Sequence, residues 1–353
     1  MKKFLLIVFI SSLLILSACV NEKQESKQQT DAKPIIAFYN VENLFDTIDD
    51  KRIDDEEFLP GSKVPWNSER YQRKLDNLSQ VISSIGGGDH PAVVGLCEVE
   101  NKRVLFHLIR QPKLEDVKYN IIHRNSPDER GVDVALLFNP DFFLPIENEF
   151  IRVSFPFDRE DSTREILYTK GMAGPDTLHL FVNHWPSRYG GREKSQPKRN
   201  FVAGLLKDKV DSLFAHAEDP NIILMGDFND NPTDTSLAGI LNAKLPDESP
   251  QKNTLYNLSL KKYASGEGTI YWKNWDMFDQ IIVSSALLNE SSPIKVDPPE
   301  QFIFKEDWML FQPEEGPARP NRTKGRNYYG GYSDHLPVYI KIDQAEREGD
   351  HSL

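Results

Sequence analysis

The chain has 353 residues, of which 39% are apolar and 27% charged, a composition that is ordinary for a globular protein. Its formal net charge of -12 argues against a protein that coats nucleic acid without sequence preference, because such proteins need a basic surface to displace counterions from phosphates. The charge does not exclude an enzyme that meets a phosphate through a metal ion, since an excess of carboxylates suits a metal site.

The first 18 residues have the character of a secretory signal. Two lysines precede an apolar run, Phe4 to Leu16, that is shorter than a helix normally needs to span a membrane. The run ends in Leu16-Ser17-Ala18-Cys19, which resembles the lipobox of bacterial lipoproteins, in which the cysteine is lipidated. We therefore expect a signal peptide over 1–18 and a flexible polar tether over 19–33 with a lipid on Cys19. The alternative is an ordinary signal peptide or a single-pass anchor.

A lipid anchor at this position predicts a location in the bacterial cell envelope, at the outer membrane or the cell surface. The membrane is then a partner through the anchor alone. Cys97, the other cysteine of the chain, lies in an apolar stretch and is expected to be a small buried hydrophobe.

From Pro34 onward, short apolar runs alternate with turn residues, which predicts one domain over 34–343 and a polar tail over 344–353. Apolar residues at helical spacing predict a helix that Asn67 or Ser68 caps and that glycines 86–88 end. A second amphipathic helix is predicted around Val202 to Leu213. Strands are predicted over 35–40, 91–96, 133–138, 163–169, 177–183, 221–225, 278–284 and 337–342.

Polar side chains interrupt the apolar pattern where these strands end. The positions are Asn40, Glu98, His184, Asp227 with Asn229, Asp279, and Asp334 with His335. Each has an ordinary explanation of its own, such as a turn or a cap. Because strand ends in layered α/β folds open into a common crevice, their recurrence predicts one shared site.

The same positions lie in a series of short motifs. The segments are Phe38–Asn43, Gly95–Val99, Val182–Trp185, Met225–Asn229, Phe278–Ile281 and Ser333–Val338. In this order they resemble the motifs of the endonuclease/exonuclease/phosphatase superfamily, and they span nearly the whole chain after Pro34. The resemblance implies a deoxyribonuclease I-like, four-layered α/β sandwich, with two packed, mainly antiparallel β-sheets flanked by helices.

The resemblance also implies a metal site and a water-activating group. Phosphodiester hydrolysis requires charge neutralisation on the phosphoryl oxygens, an activated water and help for the leaving oxygen. Glu98 is expected to be the main ligand of Mg²⁺, for which Mn²⁺ or Ca²⁺ could substitute, with Asn40 and Asp334 beside it. Asp227 is expected to orient or deprotonate the attacking water, and Asn229 to donate a hydrogen bond to a phosphoryl oxygen.

Two histidines complete the implied catalytic set. His335, paired with Asp279, is expected to stabilise the phosphate in the transition state. His184 stands where the deoxyribonuclease and sphingomyelinase branches carry a histidine for the leaving group. Its carboxylate partner is open between Glu129 and Asp133.

Basic and aromatic residues near these motifs are candidates for substrate contact. Arg188 and Arg199 are expected to contact non-scissile phosphates or an anionic head group. The alternative, which we weigh equally, is that they belong to a solvent-exposed start of a helix. Trp272 and Trp275 could form the floor of the cleft, on which a nucleobase would stack. For at least one of them we expect core packing at the edge of a strand instead. The deoxyribonuclease pattern has a tyrosine near here that this chain lacks, and Pro127 stands at the nearest position. This difference argues against recognition of the DNA groove in the way of pancreatic deoxyribonuclease.

These observations predict a monomeric, Mg²⁺-dependent phosphodiester hydrolase, an endonuclease or exonuclease acting on extracellular nucleic acid. One alternative is a phosphatase or phospholipase C-like phosphodiesterase acting on inositol phosphates or sphingomyelin. The sequence shows no obvious exposed aromatic hairpin of the kind expected in such membrane enzymes. A catalytically inactive surface binding module is the other alternative, and the presence of Glu98, Asp227 and His335 disfavours it.

Overall fold

The computed structural model describes residues 33–247 and 249–344. The predicted signal peptide, Cys19, the tether up to residue 32 and the tail from residue 345 lie outside the described residues. Within the described part, no helix has the length and apolar character needed to cross a membrane.

Strands are the most numerous elements of the described chain. In chain order these are β1 (Ile35–Leu44), β2 (Val93–Val99), β3 (Asn120–His123), β4 (Asp133–Phe138), β5 (Phe143–Ile151), β6 (Ile166–Ala173), β7 (Asp176–His184), β8 (Asn221–Asp227), β9 (Leu255–Asn257), β10 (Ile270–Tyr271), β11 (Trp275–Asp276), β12 (Asp279–Ser284), β13 (Ile294–Val296), β14 (Phe302–Ile303), β15 (Leu310–Phe311), β16 (Arg319–Pro320) and β17 (Val338–Gln344). The helices are α1 (Ser68–Ser84), α2 (Lys102–Ile109), α3 (Arg192–His216) and α4 (Leu260–Ala264), with a π-helical turn over Thr235–Ile240.

The strands form two large mixed sheets. The first has the order β13-β17-β1-β2-β4-β3, with β14 also paired to β17, and the second has the order β5-β6-β7-β8-β12-β9. The pairs β1–β2 and β7–β8 are parallel, and all the other pairs of these two sheets are antiparallel. Each parallel pair lies in the middle of its sheet, where it is covered on both faces, as parallel strands require.

Three apolar clusters show how the layers pack. Phe38 and Met225 belong to a cluster between the two sheets. Residues of the opposite face of β1, such as Tyr39, pack with α1 and α2. Phe181 packs with Leu206 of α3 on the outer face of the second sheet. This alternation along each strand produces four layers, α/β/β/α, and confirms the expected fold.

Local signals fix several elements where the sequence predicts them. The Asn67 side chain accepts the backbone N–H of Arg70 and caps α1, and Gly86 and Gly88 adopt φ angles of 76° and 102° just after it. Strand β4 has the predicted bounds, and Cys97 is fully buried, as predicted. The helix α2 and the strands β3 and β5 were not predicted.

Candidate active site

The end of strand β8 lies at the centre of the polar cluster. Its last residue, Asp227, is in register with His184, the last residue of β7, and with Asp279, the first residue of β12. From the first sheet, the amide of Asn40 donates to Glu98 at 3.2 Å and to Asp227 at 3.0 Å. The two sheets therefore bring their polar strand ends together at one edge of the sandwich.

A β-bulge directs Glu98 toward this cluster. The register between β2 and β4 shifts between Cys97 and Val99, and Glu98 has a φ of 62°, in the left-handed region. Bulges at strand ends re-aim side chains in this way. One carboxylate oxygen accepts the Asn43 N–H at 3.0 Å and the other accepts Asn40. The side chain is 19% exposed, so its remaining lone pairs face the cleft.

Asp227 is a buried carboxylate whose protonation is finely balanced. Its Oδ1 accepts the backbone N–H of Asn229 at 2.9 Å. Burial raises the pKa of Asp227 to about 7; the charge of His335 opposes that rise and the charge of Asp279 adds to it. A carboxylate with a pKa near neutrality can both accept and release a proton, which is what a general base requires.

Asp279 and His335 form a buried pair beside it. Oδ2 of Asp279 lies 2.7 Å from Nδ1 of His335, the contact that the sequence resemblance implies. Burial lowers the pKa of His335, but the carboxylates of Asp279 and Asp227 outweigh burial and hold it well above its usual value. The charged form of His335 is therefore favoured, and its Nε2 lies 3.9 Å from Oδ2 of Asp227.

His184 faces the same cleft in the neutral form. Its Nε2 lies 3.8 Å from Glu98 and 3.9 Å from Asp227, which is beyond hydrogen-bond distance. Burial lowers the pKa of His184 well below its usual value, and the cations Arg164 and Arg130 lower it further. Among the described residues, its buried Nδ1 has no hydrogen-bond partner.

Neither expected carboxylate partner reaches His184. Asp133 lies 2.8 Å from Nε2 of His123 and accepts the N–H of Ser126 at 2.7 Å, so its oxygens are engaged on the β3 side. Glu129 is exposed. The expectation that one of them orients His184 is therefore not met. The Asp133 carboxylate is paired on the β3 side, and Glu129 faces solvent.

A buried network that the sequence analysis missed supports Asn229. The Asn229 amide donates to the carbonyl of Trp185 at 3.0 Å, which leaves its second N–H for a phosphoryl oxygen. Arg164 donates to the same carbonyl at 2.6 Å and pairs with Asp128 at 3.0 Å. Asp128 pairs with Arg130 as well, at 3.1 Å. The signal in the sequence is the charged run at 128–130.

The two arginines that were expected to contact phosphates both hold the loop after β8. Arg199 is fully buried, with its Nε 2.8 Å from Oδ1 of Asp230. Its burial is at odds with a phosphate contact, because every face of the guanidinium is covered by protein. Arg188 is 20% exposed and donates to the Asn229 carbonyl and to Asp234, each at 2.9 Å. A phosphate contact by Arg188 stays a prediction.

Glu42 is a site carboxylate that the sequence analysis also missed. Arg322 joins it to Asp334, with N–O distances of 3.1 and 3.2 Å. Burial raises the pKa of Glu42 to about 7, and the nearby charge of Asp334 adds to the rise. A cavity of about 140 Å³ opens beside Glu42 and Asn43. The sequence predicts this strand only as far as Asn40, whereas β1 continues through Glu42 to Leu44, so the pattern does not single out Glu42.

Lys74 provides a buried positive charge beneath these carboxylates. It lies on α1 and donates from Nζ to Thr323 Oγ1 at 2.6 Å and to the Tyr332 carbonyl at 2.7 Å. Burial lowers the pKa of Lys74 to about 8, whereas Glu42 and the other site carboxylates favour its charged form. Lys74 therefore ties the helical layer to the loop that carries Arg322.

The oxygen donors at this edge suit a hard divalent cation. Mg²⁺ takes one or two carboxylates and keeps several waters, and Glu98 and Asp334 are carboxylates of the cluster that are open to solvent. The donor atoms of Asp227, Asp279 and His335 also lie within 4.8 Å of one another. However, the charged form of His335 that its carboxylate neighbours favour would oppose a cation there, and an ion held by Glu98 with Asn40 and Asp334 stays a prediction.

The structure separates the two tryptophans near Asp279. Trp275 is half-buried, with its ring centroid 5.4 Å from that of Tyr271 and Lys305 over its face. Trp272 lies at the tip of the β10–β11 hairpin and is 79% exposed. The expectation of core packing for one of them is met by Trp275. The sequence shows no obvious exposed aromatic hairpin, because β10 and β11, of two residues each, are too short to recognise from alternation.

Comparisons with known proteins identify the family and support the fold. A family model described as "Endonuclease/Exonuclease/phosphatase family" matches residues 35–344. The structure of D. rerio TDP2 complexed with single strand DNA product is 16% identical, with a TM-score of 0.54 over 89% of this chain and 100% of that one. The mannosyl-6-phosphatase of Bacteroides thetaiotaomicron VPI-5482 is 16% identical, with a TM-score of 0.55 over 88% and 100% of the two chains. At this identity the likeness shows the fold alone. No curated protein matches the sequence.

Proposed function

The chain belongs to the endonuclease/exonuclease/phosphatase family, and from this premise we propose that it is a Mg²⁺-dependent hydrolase of phosphodiesters, with nucleic acid as its substrate. Family membership supports phosphoester hydrolysis as the reaction class. The observation that carries the proposal is the meeting of Glu98, Asp227, His184 and His335 at one edge of the two sheets.

The residues divide into a metal-binding side and a proton-transfer side. Mg²⁺ bound by Glu98, with Asn40 and Asp334 beside it, would supply charge neutralisation for the phosphoryl oxygens, and Mn²⁺ or Ca²⁺ could substitute. Asp227 accepts the proton of the attacking water, which its balanced pKa allows. Asn229 donates a hydrogen bond to a phosphoryl oxygen.

The two histidines act on different oxygens in this proposal. The His335 imidazolium, held by Asp279, donates a hydrogen bond to a phosphoryl oxygen and offsets its charge. His184 faces the leaving oxygen. A bound phosphate brings negative charge next to His184, which raises its pKa and favours the protonated form that can serve the leaving group.

The substrate class and the location go beyond family membership. A nucleic acid diester is favoured by His184 at the leaving-group position, and the D. rerio structure is named for a complex with a DNA product. The B. thetaiotaomicron phosphatase of similar fold makes a phosphomonoester the alternative outcome. We also propose that the enzyme is lipid-anchored at Cys19 on the outer membrane or the cell surface, where it would meet extracellular nucleic acid. The support for the anchor is the Leu16–Cys19 motif.

A substrate panel tests the proposal. The purified protein is assayed on linear DNA, on bis-p-nitrophenyl phosphate and on p-nitrophenyl phosphate, each with Mg²⁺ and with EDTA. The proposal predicts that both diesters are cleaved and that EDTA abolishes the cleavage. Cleavage of the monoester alone would replace the nuclease with a phosphatase. Turnover that EDTA leaves intact would contradict the metal-dependent mechanism.

A further inference from the structure

The segment between β1 and α1 concentrates negative charge. Residues 46–57, here called the acidic loop, include seven acidic residues and two basic ones. The basic side chains, Lys51 and Arg52, are 85% and 80% exposed and pair with Asp49 and Asp50 at the surface, where ion pairs contribute little. Among the described residues, three acids of the acidic loop form no ion pair, namely Asp54, Asp55 and Glu56. The acidic loop therefore carries a local excess of negative charge.

Asp55 is buried in the acidic loop, and one of its carboxylate oxygens lacks a partner. The residue is 2% exposed, and its Oδ2 accepts the N–H of Asp50 at 2.9 Å. Its Oδ1 is buried as well and has no hydrogen-bond partner among the described residues. Protonation would not satisfy this atom, because a neutral carboxyl group would still leave an oxygen or an O–H unpaired there. Buried carboxylates are normally paired or bound to a metal ion, so the unpartnered oxygen indicates a cation.

Other carboxylates lie near this oxygen, and their spacing favours Ca²⁺ over Mg²⁺. Burial raises the pKa of Asp55; the N–H of Asp50 opposes the rise, and the charges of Asp49, Glu56 and Asp50 add to it. Within the described part of the chain, no three carboxylates of the acidic loop offer donor atoms within 4.8 Å of one another. Mg²⁺ demands a near-ideal octahedral shell. Ca²⁺ takes about six to eight oxygens in flexible geometry and accepts backbone carbonyls and waters beside carboxylates.

The acidic loop is fastened to the loop between β3 and β4. The N–H of Asp54 donates to the carbonyl of Glu129 at 2.8 Å. Ile53 packs against Gly131, where an added Cβ would lie 2.2 Å from the Ile53 Cδ1. These two contacts flank Arg130, which belongs to the buried network beneath the candidate phosphate-binding amide. Order in the acidic loop is therefore transmitted to a segment that supports the candidate active site.

We propose that the acidic loop is a second cation site, in which Asp55 and the carboxylates beside it bind Ca²⁺. The ion neutralises the unpartnered oxygen of Asp55 and orders the loop. Through the contacts at Glu129 and Gly131 it also steadies the β3–β4 loop. The site uses none of the residues proposed to bind Mg²⁺, and its ion takes no part in the reaction. The inference is independent of the proposed function, because it requires only that the acidic loop binds an ion.

Calorimetry and thermal unfolding test the site without any substrate. The protein is stripped of metal with EDTA, exchanged into buffer with saturating Mg²⁺ and titrated with Ca²⁺. We expect one further Ca²⁺ per chain and a melting temperature that rises with the Ca²⁺ concentration. Asp55→Asn keeps an acceptor for the Asp50 N–H but loses the charge, so it should weaken Ca²⁺ binding at least about 10-fold. It should also lose the rise in melting temperature.

Two further variants of the acidic loop keep the test decisive. Glu57→Gln is the matched control, because its side chain is 87% exposed and the same loop loses the same charge. It should bind Ca²⁺ as wild type does. Asp49→Asn, at an exposed position, should weaken Ca²⁺ binding in the same direction as Asp55→Asn, and it serves if Asp55→Asn fails to fold. Wild-type protein that binds no Ca²⁺ beside Mg²⁺ would overturn the inference, as would Ca²⁺ affinity unchanged in both Asp variants.

Hydrogen exchange tests whether the ion acts beyond the acidic loop. Ca²⁺ should slow amide exchange over residues 46–57 and over 128–131, since the N–H of Asp54 bonds to the Glu129 carbonyl. Asp55→Asn should show neither change. Protection that appears instead around Glu98, and that Glu98→Gln removes, would assign the Ca²⁺ to the proposed Mg²⁺ site and overturn the inference.

Discussion

His184 and Asp227 are the last residues of two adjacent parallel strands, and the Nε2 and Oδ2 atoms of their side chains lie 3.9 Å apart. Burial raises the pKa of Asp227 to about 7 and lowers that of His184 well below its usual value, so burial favours the neutral form of both. A group with a strongly shifted pKa in a cleft is typical of catalytic sites. The predictions below follow from this pair and its neighbours.

Replacing Asp227 by Asn should remove the general base. We expect turnover of a phosphodiester to fall roughly 10²- to 10⁴-fold, because proton transfer by a positioned side chain contributes on that scale. The wild-type rate should decline as the pH falls through the pKa of Asp227, since only the carboxylate form accepts a proton, so the acid limb should lie near or below pH 7. Asp211→Asn, at an exposed position of α3, is the control. Full activity of Asp227→Asn would rule out its role as the base.

Replacing Asp279 by Asn should change the alkaline side of the pH–rate profile. The carboxylate of Asp279 holds the pKa of His335 above its usual value, so wild-type His335 stays protonated through neutral pH. Without that charge, burial dominates and the pKa falls, so the imidazolium is lost at a lower pH. As the pH rises, the activity of the variant should therefore begin to decline at a lower pH than the activity of wild type. An alkaline limb that does not move would show that protonated His335 is not required.

Replacing Arg164 by Met should destabilise the fold. Arg164 and Asp128 are a buried pair, and without Arg164 the buried Asp128 keeps only the half-exposed Arg130 as a cation, so we expect a cost of up to about 3–5 kcal/mol, the scale for breaking a buried pair. The free energy of unfolding is measured by denaturant titration, with the exposed Arg152→Met as the control. A loss below about 1 kcal/mol, the scale of a surface ion pair, would show that the pair is not a structural support.

His179 should make stability depend on pH below neutrality. Burial lowers its pKa from the usual 6.5 to about 4, and its Nδ1 lies 2.9 Å from the Tyr168 hydroxyl. Between pH 6.5 and about pH 4, His179 is therefore protonated in the unfolded chain and neutral in the folded chain. The contribution of His179 is present above pH 6.5 and is lost as the pH falls toward 4. The melting temperature of His179→Asn should fall less over this range than that of wild type, and exposed His216→Asn should behave as wild type. Identical pH dependences of all three would contradict the assignment.

The parts of the fold that the sequence predicts are those with local signals. Strand β4 alternates between two buried faces, and α1 has a cap, an apolar stripe and terminal glycines. Strand β5 was missed because its middle, Glu147 to Glu149, is polar and mostly exposed at a sheet edge. The helix α2 was missed because eight residues carry too few turns for a periodic pattern to stand out.

The residues of the candidate site likewise divide into those that the sequence predicts and those that it does not. Asn40, Glu98 and Asp227 could be predicted because each is a polar residue that interrupts or ends an apolar strand. The burial of Arg199 against Asp230 could not, because an arginine on a polar helix face looks solvated until the loop that covers it is placed. Lys74 lies on the apolar face of α1, where its partner carbonyl at Tyr332 is supplied by a segment distant in sequence.

The most direct test of the central claim is a Mg²⁺ titration of phosphodiester turnover in wild type, in Glu98→Gln and in the exposed control Glu147→Gln. Glu98 is a partly exposed carboxylate that both Asn40 and the Asn43 backbone orient toward the cleft. The account predicts that wild type and Glu147→Gln are saturated at the same Mg²⁺ concentration. Glu98→Gln should need at least about 10- to 100-fold more metal, or show no turnover, while keeping its fold. A Glu98→Gln protein with the metal dependence of wild type would contradict the account.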